Sequence, residues 1–234
     1  MRLKVSTLIL WALSIVSIVL ALKASNEPMP SIFMDTWIGS FFQQFDTGNS
    51  IIFNLSIGFL VSVIFYLLVV WFPNKQRKNL IKRNFEEQYK MFKRDTICIF
   101  LSILELSYNS DLLSKLSDVR EFRSYFKEPF CDSQNRWHGV LNGLDEYHLK
   151  DLLVALEIFM NEVAYVLNNA DINDPEVFAF FKRLSHAVYS LKNSTLGNDE
   201  IKPLSHFIWE LFGGFSLIDG CRDYDVVKKM INKI

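Results

Sequence analysis

Four histidines, His138, His148, His186 and His206, are the side chains best suited to acid–base or metal chemistry, and none sits at a spacing that supports it. They show neither the HExxH spacing nor a second histidine or cysteine one helical turn away, so a zinc site has little basis. Arg183-Leu184-Ser185-His186 sets a cation and an imidazole on one turn. That is not the Arg-x4-6-His element of helical nucleotide-binding RNases, and a partly exposed helix surface explains it more simply. Asn135-Arg136-Trp137-His138 joins polar and aromatic groups in what reads as a loop, but no nucleophile, base and orienting group can be assigned there. No glycine-rich phosphate loop exists, and Gly213-Gly214 reads as a close-packing point in preference to a helix break. Cys98, Cys131 and Cys221 lie far apart without a CxxC pair, which points to a reducing compartment and to neither zinc nor a built disulfide. No cofactor, metal or enzymatic activity is expected.

Packing chemistry has more support. Asn54, Gly58, Ser62 and Tyr66 recur every four residues in one apolar run, and Ser14, Ser17 and Ala21 form a comparable stripe in another. Small residues let helix backbones approach in lipid, and a polar side chain such as Asn54 seeks a partner across the interface, worth on average about 0.6 kcal/mol. Either the two stripes face each other within one hairpin, or they mediate oligomers in the membrane and enclose a leak pathway. Neither run contains Asp, Glu, Lys, Arg or His, which argues against a proton relay, a voltage sensor or an ion pump.

The elements carrying these stripes are the uncharged runs Val5 to Leu22 and Ile51 to Phe72. Each suffices to cross a hydrocarbon core as a helix, which takes roughly 20 residues at about 1.5 Å rise. Arg2 and Lys4 precede the first run, and Lys75, Arg77, Lys78, Lys82, Arg83, Lys90, Lys93 and Arg94 follow the second. The loop between the runs has Lys23 against Glu27, Asp35 and Asp46. The positive-inside rule then puts both termini in the cytosol. A cleaved secretory signal is the rival reading of the first run. Its apolar length, Lys23 beside the would-be scissile bond and the bulky Leu22 all oppose that reading. In the outer loop, Phe33, Trp37, Phe41 and Phe45 fall four apart, which suits a short aromatic-faced helix in the outer headgroup layer. An irregular loop capping the hairpin is the alternative.

Residues 1–73 are thus expected to form a transmembrane hairpin with spans at about 5–22 and 51–72, and residues 74–234 a cytosolic all-α domain. A long helix should run from Pro73 to about Ser107, followed by one or two helices over Asn109 to Phe126 and a loop over Pro129 to Gly143. A strong helix is expected from Leu144 to Asn168. Another should start at Asp174-Pro175-Glu176, where an N-cap, a first-turn proline and an acid at the positive dipole end coincide, and run to about Leu191. The last two should span Pro203 to Ile218, with Gly220 as a stop, and Tyr224 to Asn232. No run alternates with period two, and no hairpin signal is present.

The formal charge of -1 hides a division along the chain. Residues 73–94 hold eight cations and two anions, a net +6; residues 95–234 hold fourteen cations and twenty-one anions, a net -7. The basic cluster Lys75, Arg77, Lys78, Lys82 and Arg83 can face anionic headgroups, at about 1 kcal/mol for each cation near the surface. The acidic remainder argues against a general nucleic-acid face.

The basic N-terminus, the two apolar runs, Trp71-Phe72-Pro73 leading into Lys75-Gln76-Arg77-Lys78, the aromatic–basic stretch through Tyr89 and Phe92, and the ending from Trp209 through Phe212-Gly213-Gly214-Phe215 to Asp223-Tyr224 resemble the two-transmembrane effector membrane proteins encoded beside some bacterial retrons. The resemblance implies an inner-membrane toxin of an anti-phage, abortive-infection system. It would be held inactive by a reverse transcriptase with its RNA-linked single-stranded DNA, and would disrupt the membrane physically, as a homo-oligomer, once released. It carries over no catalytic residues. The competing expectation is a membrane-anchored helical adaptor or scaffold whose spans only tether; an enzyme ranks third.

Overall fold

Short polar side chains start most of the helices beyond residue 105, because each supplies an acceptor to backbone N–H groups that the first turn leaves unpaired. Asn109, Asp118, Asn135, Asp145 and Asp225 accept from the N–H groups of Leu112, Arg120, His138, His148 and Lys228, respectively. The computed structural model describes residues 5–26, 45–130, 134–170, 172, 174–191, 198–216 and 220–234. Within them the chain is all-α apart from one two-residue antiparallel pair and an isolated antiparallel bridge between Pro129 and Asn135. The expected outer aromatic helix through Phe33, Trp37 and Phe41 falls outside the described residues, as do Arg2, Lys4 and Cys131.

The chain divides into two compact units, Met1–Arg77 and Lys78–Ile234. In the first, α1 (Val5–Lys23) packs against α2 (Asn49–Tyr66). Gly48, at φ 81, opens α2 with its carbonyl accepting from the N–H groups of Ile51 and Ile52. A π-helical turn, Leu67–Trp71, follows α2, and α3 (Phe72–Ile103) follows at once, so helical backbone is continuous from Asn49 to Ile103. Pro73 explains the wide turn. It has no N–H, its ring crowds the carbonyl four residues back, and the i→i+5 bond from Phe72 N–H to the Leu67 carbonyl gives that ring room.

The second unit adds α4 (Ser110–Leu116), α5 (Val119–Lys127), α6 (Arg136–Gly143), α7 (Glu146–Asn169), α8 (Pro175–Leu191), α9 (Asn198–Gly213), β1 (Phe215–Ser216), β2 (Gly220–Cys221) and α10 (Val226–Lys233). Its core is aromatic. Phe92 stacks on Phe159 at 4.7 Å, Phe85 meets Phe181 edge-on at 5.2 Å, and Phe122 joins Phe126 and Phe212.

Three expectations are corrected. The loop expected over Pro129 to Gly143 contains α6, because Asn135 caps it and its glycines serve as packing points. A Cβ on Gly139 would lie 2.9 Å from Leu104, and one on Gly143 2.8 Å from Ile103. The helix expected to reach Ile218 stops at Gly213, since Gly214 adopts φ +64 and turns the chain into β1, and Gly220 lies in β2. The long helix ends at Ile103, four residues before Ser107, where Glu105 takes φ 55.

Candidate functional site

α1 and α2 bury little of their apolar surface. Ser14, Ala21 and Ala24 are buried on the first side and Ser56 on the second, while Trp11, Ile15, Leu55, Phe65 and Val69 are exposed. On α1, Ser17 is half-buried, so the stripe Ser14, Ser17 and Ala21 lies on the covered side. The α2 stripe does not. Asn54, Gly58, Ser62 and Tyr66 are all exposed, and a Cβ on Gly58 would meet nothing within 4 Å. The covered face of α2 is instead Ile52, Ser56, Phe59, Leu60 and Val63. The reading in which the two stripes meet inside one hairpin is therefore corrected: α1 presents the expected residues, and α2 presents a face rotated away from them. Ser14 and Ser62 donate to the carbonyls of Leu10 and Gly58, both at 2.8 Å, so their hydroxyls are satisfied within their own helices.

The π-turn delivers Trp71 and Phe72, both exposed, beside the first cations, and the Lys75 ammonium sits 4.8 Å from the Trp71 ring centroid. Such a pair suits a membrane–water boundary, where indole and ammonium are both accommodated. Arg77 and Arg83 are exposed and Lys78 is half-buried. Lys82 is committed elsewhere, since its ammonium donates to the Asn232 carbonyl at 2.6 Å. Further along α3, Lys90 pairs with Glu86, and Lys93 is buried.

Lys93 belongs to a polar group that sequence reasoning missed. Its ammonium donates to the Asp225 carboxylate at 3.0 Å and to the Ser117 carbonyl at 2.7 Å, and the Tyr89 hydroxyl donates to both Asp225 oxygens at 3.0 Å. Burial first, and the Asp225 charge second, push the Tyr89 hydroxyl well above the usual phenol range. Three side chains thereby fix α10, whose Val227, Met230 and Ile231 complete the core. The available signal was the spacing Tyr89, Lys93 and Thr96, which sets the lysine on the buried face of α3. Arg123 secures the preceding turn by donating to the carbonyls of Gly213 and Arg222 and to the Asp223 carboxylate.

The imidazoles do not converge. His138 and His148 each sit 2.7 Å from the cap side chain of their own helix, Asn135 and Asp145. The backbone N–H of His148, helped by its ring, holds the Asp145 carboxyl below the usual range. His186 is exposed, and His206 Nε2 is buried with no partner among the described residues. The Asn135 to His138 cluster is split between two open depressions. Trp137 lines one of about 610 Å³ with Pro203, His206 and Trp209, and Asn135 and His138 line one of about 470 Å³ with Lys127 and Gln134. Among the described residues no three His, Cys, Asp or Glu side chains are grouped to hold a metal ion. Among the described residues the arrangement offers surfaces for packing and docking, and no assembled nucleophile and base.

Compared with known proteins, the chain matches no family model, no curated protein and no solved structure.

Proposed function

We propose that this chain is a membrane-embedded, non-enzymatic effector of the retron type. α1 and the α2–π-turn segment cross the bacterial inner membrane as a hairpin with both termini in the cytosol. The helical unit Lys78–Ile234 is the cytosolic sensor that a reverse transcriptase with its RNA-linked DNA holds silent. Release lets the hairpins associate and disrupt the membrane. The observation that carries the membrane part is the apolar surface of the first unit. Leu55 and Ile51 are each 74% exposed, and 6% of an apolar 18-residue window of the continuous helix Asn49–Ile103 is buried, a surface that water does not tolerate and lipid does. The exposed Asn54, Gly58, Ser62 and Tyr66 give such hairpins a face with which to meet. The retron assignment is supported by the sequence resemblance.

Expression of the chain alone from a tightly controlled promoter, with membrane potential and propidium entry followed against growth, tests this reading. Depolarisation that precedes growth arrest is expected; healthy, polarised cells would instead point to the adaptor. A second experiment replaces both spans with an unrelated hairpin. An adaptor keeps its activity after that exchange, whereas a membrane-disrupting effector loses it.

A further inference from the structure

α7 is apolar on two opposite sides, and among the described residues only one of them is covered. Leu149, Leu152, Leu156, Phe159, Val163 and Val166 face the core. On the other side Tyr147 is 69% exposed, Val154 46%, Ile158 59% and Tyr165 48%. Single exposed apolar residues are ordinary on any protein. These four are not scattered: with Asp151 and Asn161 they follow one another at steps of four, three, four, three and four residues. That is the seam of a 3.5-residue repeat, the pattern by which one helix receives another along its length. At about 1.5 Å per residue the seam runs for about 27 Å.

We propose that this outward face of α7 docks a cationic amphipathic helix of a protein partner. Charge decides the occupant. α7 carries Glu146, Asp151, Glu157 and Glu162 against the single cation Lys150, a net charge of -3. A second copy of the chain would set like charge on like charge, and an antiparallel pair centred on Ile158 would bring the two Glu157 side chains together. An anionic lipid surface is repelled for the same reason. A helix bearing Lys or Arg beside an apolar stripe complements the net negative charge of the face. Asp151, within the seam, calls for a cation opposite, and Asn161 for an amide; such polar seam positions fix register. Tyr147 and Tyr165 anchor the two ends, as tyrosines at helix-docking surfaces do. The inference rests only on the unit Lys78–Ile234 and stands or falls separately from the membrane reading.

The test uses the full chain in zwitterionic phosphatidylcholine nanodiscs. The probe is a fluorescein-labelled helical peptide of about three heptads. It has Leu at its seam positions, one Lys placed to face Asp151, Gln to face Asn161 and Lys along its flanks. Anisotropy titration, with empty nanodiscs as the blank, should show saturable binding. Ile158→Asp and Asp151→Lys should each weaken it about tenfold or more, equivalent to about 1.4 kcal/mol. Exchanging the facing Lys of the peptide for Glu should restore binding to the Asp151→Lys chain. Both positions lie on the outward side of α7, so circular dichroism should show each variant as helical as the parent. Absence of binding, equal binding by Ile158→Asp, or tighter binding of a peptide with Glu along its flanks would overturn the proposal. So would self-association of the parent chain that Ile158→Asp abolishes, which would assign the face to a second copy.

Discussion

The Lys93 ammonium lies 3.0 Å from the Asp225 carboxylate, with side-chain exposures of 4% and 13%. Two charges so far from water persist only when each is matched, because the penalty for leaving one alone in a protein interior is several kcal/mol. Here the match is nearly complete. Asp225 receives Lys93, the Tyr89 hydroxyl and the Lys228 N–H, while Lys93 also reaches the Ser117 carbonyl. The network ties α3, the end of α4 and the start of α10 to one point.

Lys93→Met should therefore destabilise the second unit by about 3 kcal/mol, as expected when one partner of a buried pair is removed. Asp225→Ala should do at least as much, because it also removes the cap of α10. Urea unfolding of the chain in micelles, followed by tryptophan fluorescence, measures both. If the single variants lose their full effects independently and sum in the double variant, the two side chains are not coupled.

Tyr89 adds a pH signature. Its hydroxyl ionises less readily in the folded chain than in the unfolded one, because burial and Asp225 both oppose the phenolate. A group with a raised folded pKa stabilises the fold fully below its unfolded value, near 10, and loses that contribution as pH rises beyond it. Stability should fall above about pH 10, and more steeply than in Tyr89→Phe, which has no proton to release. Superimposable alkaline melting curves for the two chains would show that Tyr89 is not the titrating group.

Gly214 and Gly220 share a left-handed backbone but differ in surroundings. A Cβ on Gly214 would lie 2.5 Å from both the Arg222 carbonyl oxygen and a Val119 methyl, whereas a Cβ on Gly220 would meet nothing within 4 Å. Gly214→Ala combines backbone strain with overpacking and should cost about 3 kcal/mol. Gly220→Ala pays the strain alone, about 1 kcal/mol. Thermal melts of the two variants rank them, and an equal loss would mean that the turn yields at Gly214.

Which parts of this structure were legible follows from what each residue type announces. α7 could be read because its inward apolar residues repeat with helical period and α8 because Asp174-Pro175-Glu176 marks its start. α6 could not, since Gly139 and Gly143 look like loop residues until the Leu104 and Ile103 side chains that require them are in place. Lys93 reads as one more solvated cation of a basic stretch unless its spacing from Tyr89 and Thr96 is weighed, and the carboxylate that matches it in the core lies 132 residues away. In α2, small and polar residues are available on more than one face. Spacing alone identifies candidate faces for close approach but not which of them meets α1; Ser56 does so, and Gly58 does not.

That last distinction separates two roles within one helix. Ser56 is buried between α1 and α2, so Ser56→Leu should force the pair apart and reduce the amount of folded chain in the membrane. Gly58 faces open space, so Gly58→Leu should leave insertion and the α1–α2 packing as they are. If hairpins associate through Asn54, Gly58, Ser62 and Tyr66, the added side chain holds neighbouring hairpins apart. Depolarisation after induction should then be slower by about tenfold or more, the effect of about 1.4 kcal/mol lost in assembly. Dye-reported membrane potential, measured at matched membrane levels of the parent and both variants, resolves the outcomes. Undiminished depolarisation by Gly58→Leu would exclude this stripe as the assembly face and leave the exposed apolar surface of α1, around Trp11 and Ile15, as the next face to substitute.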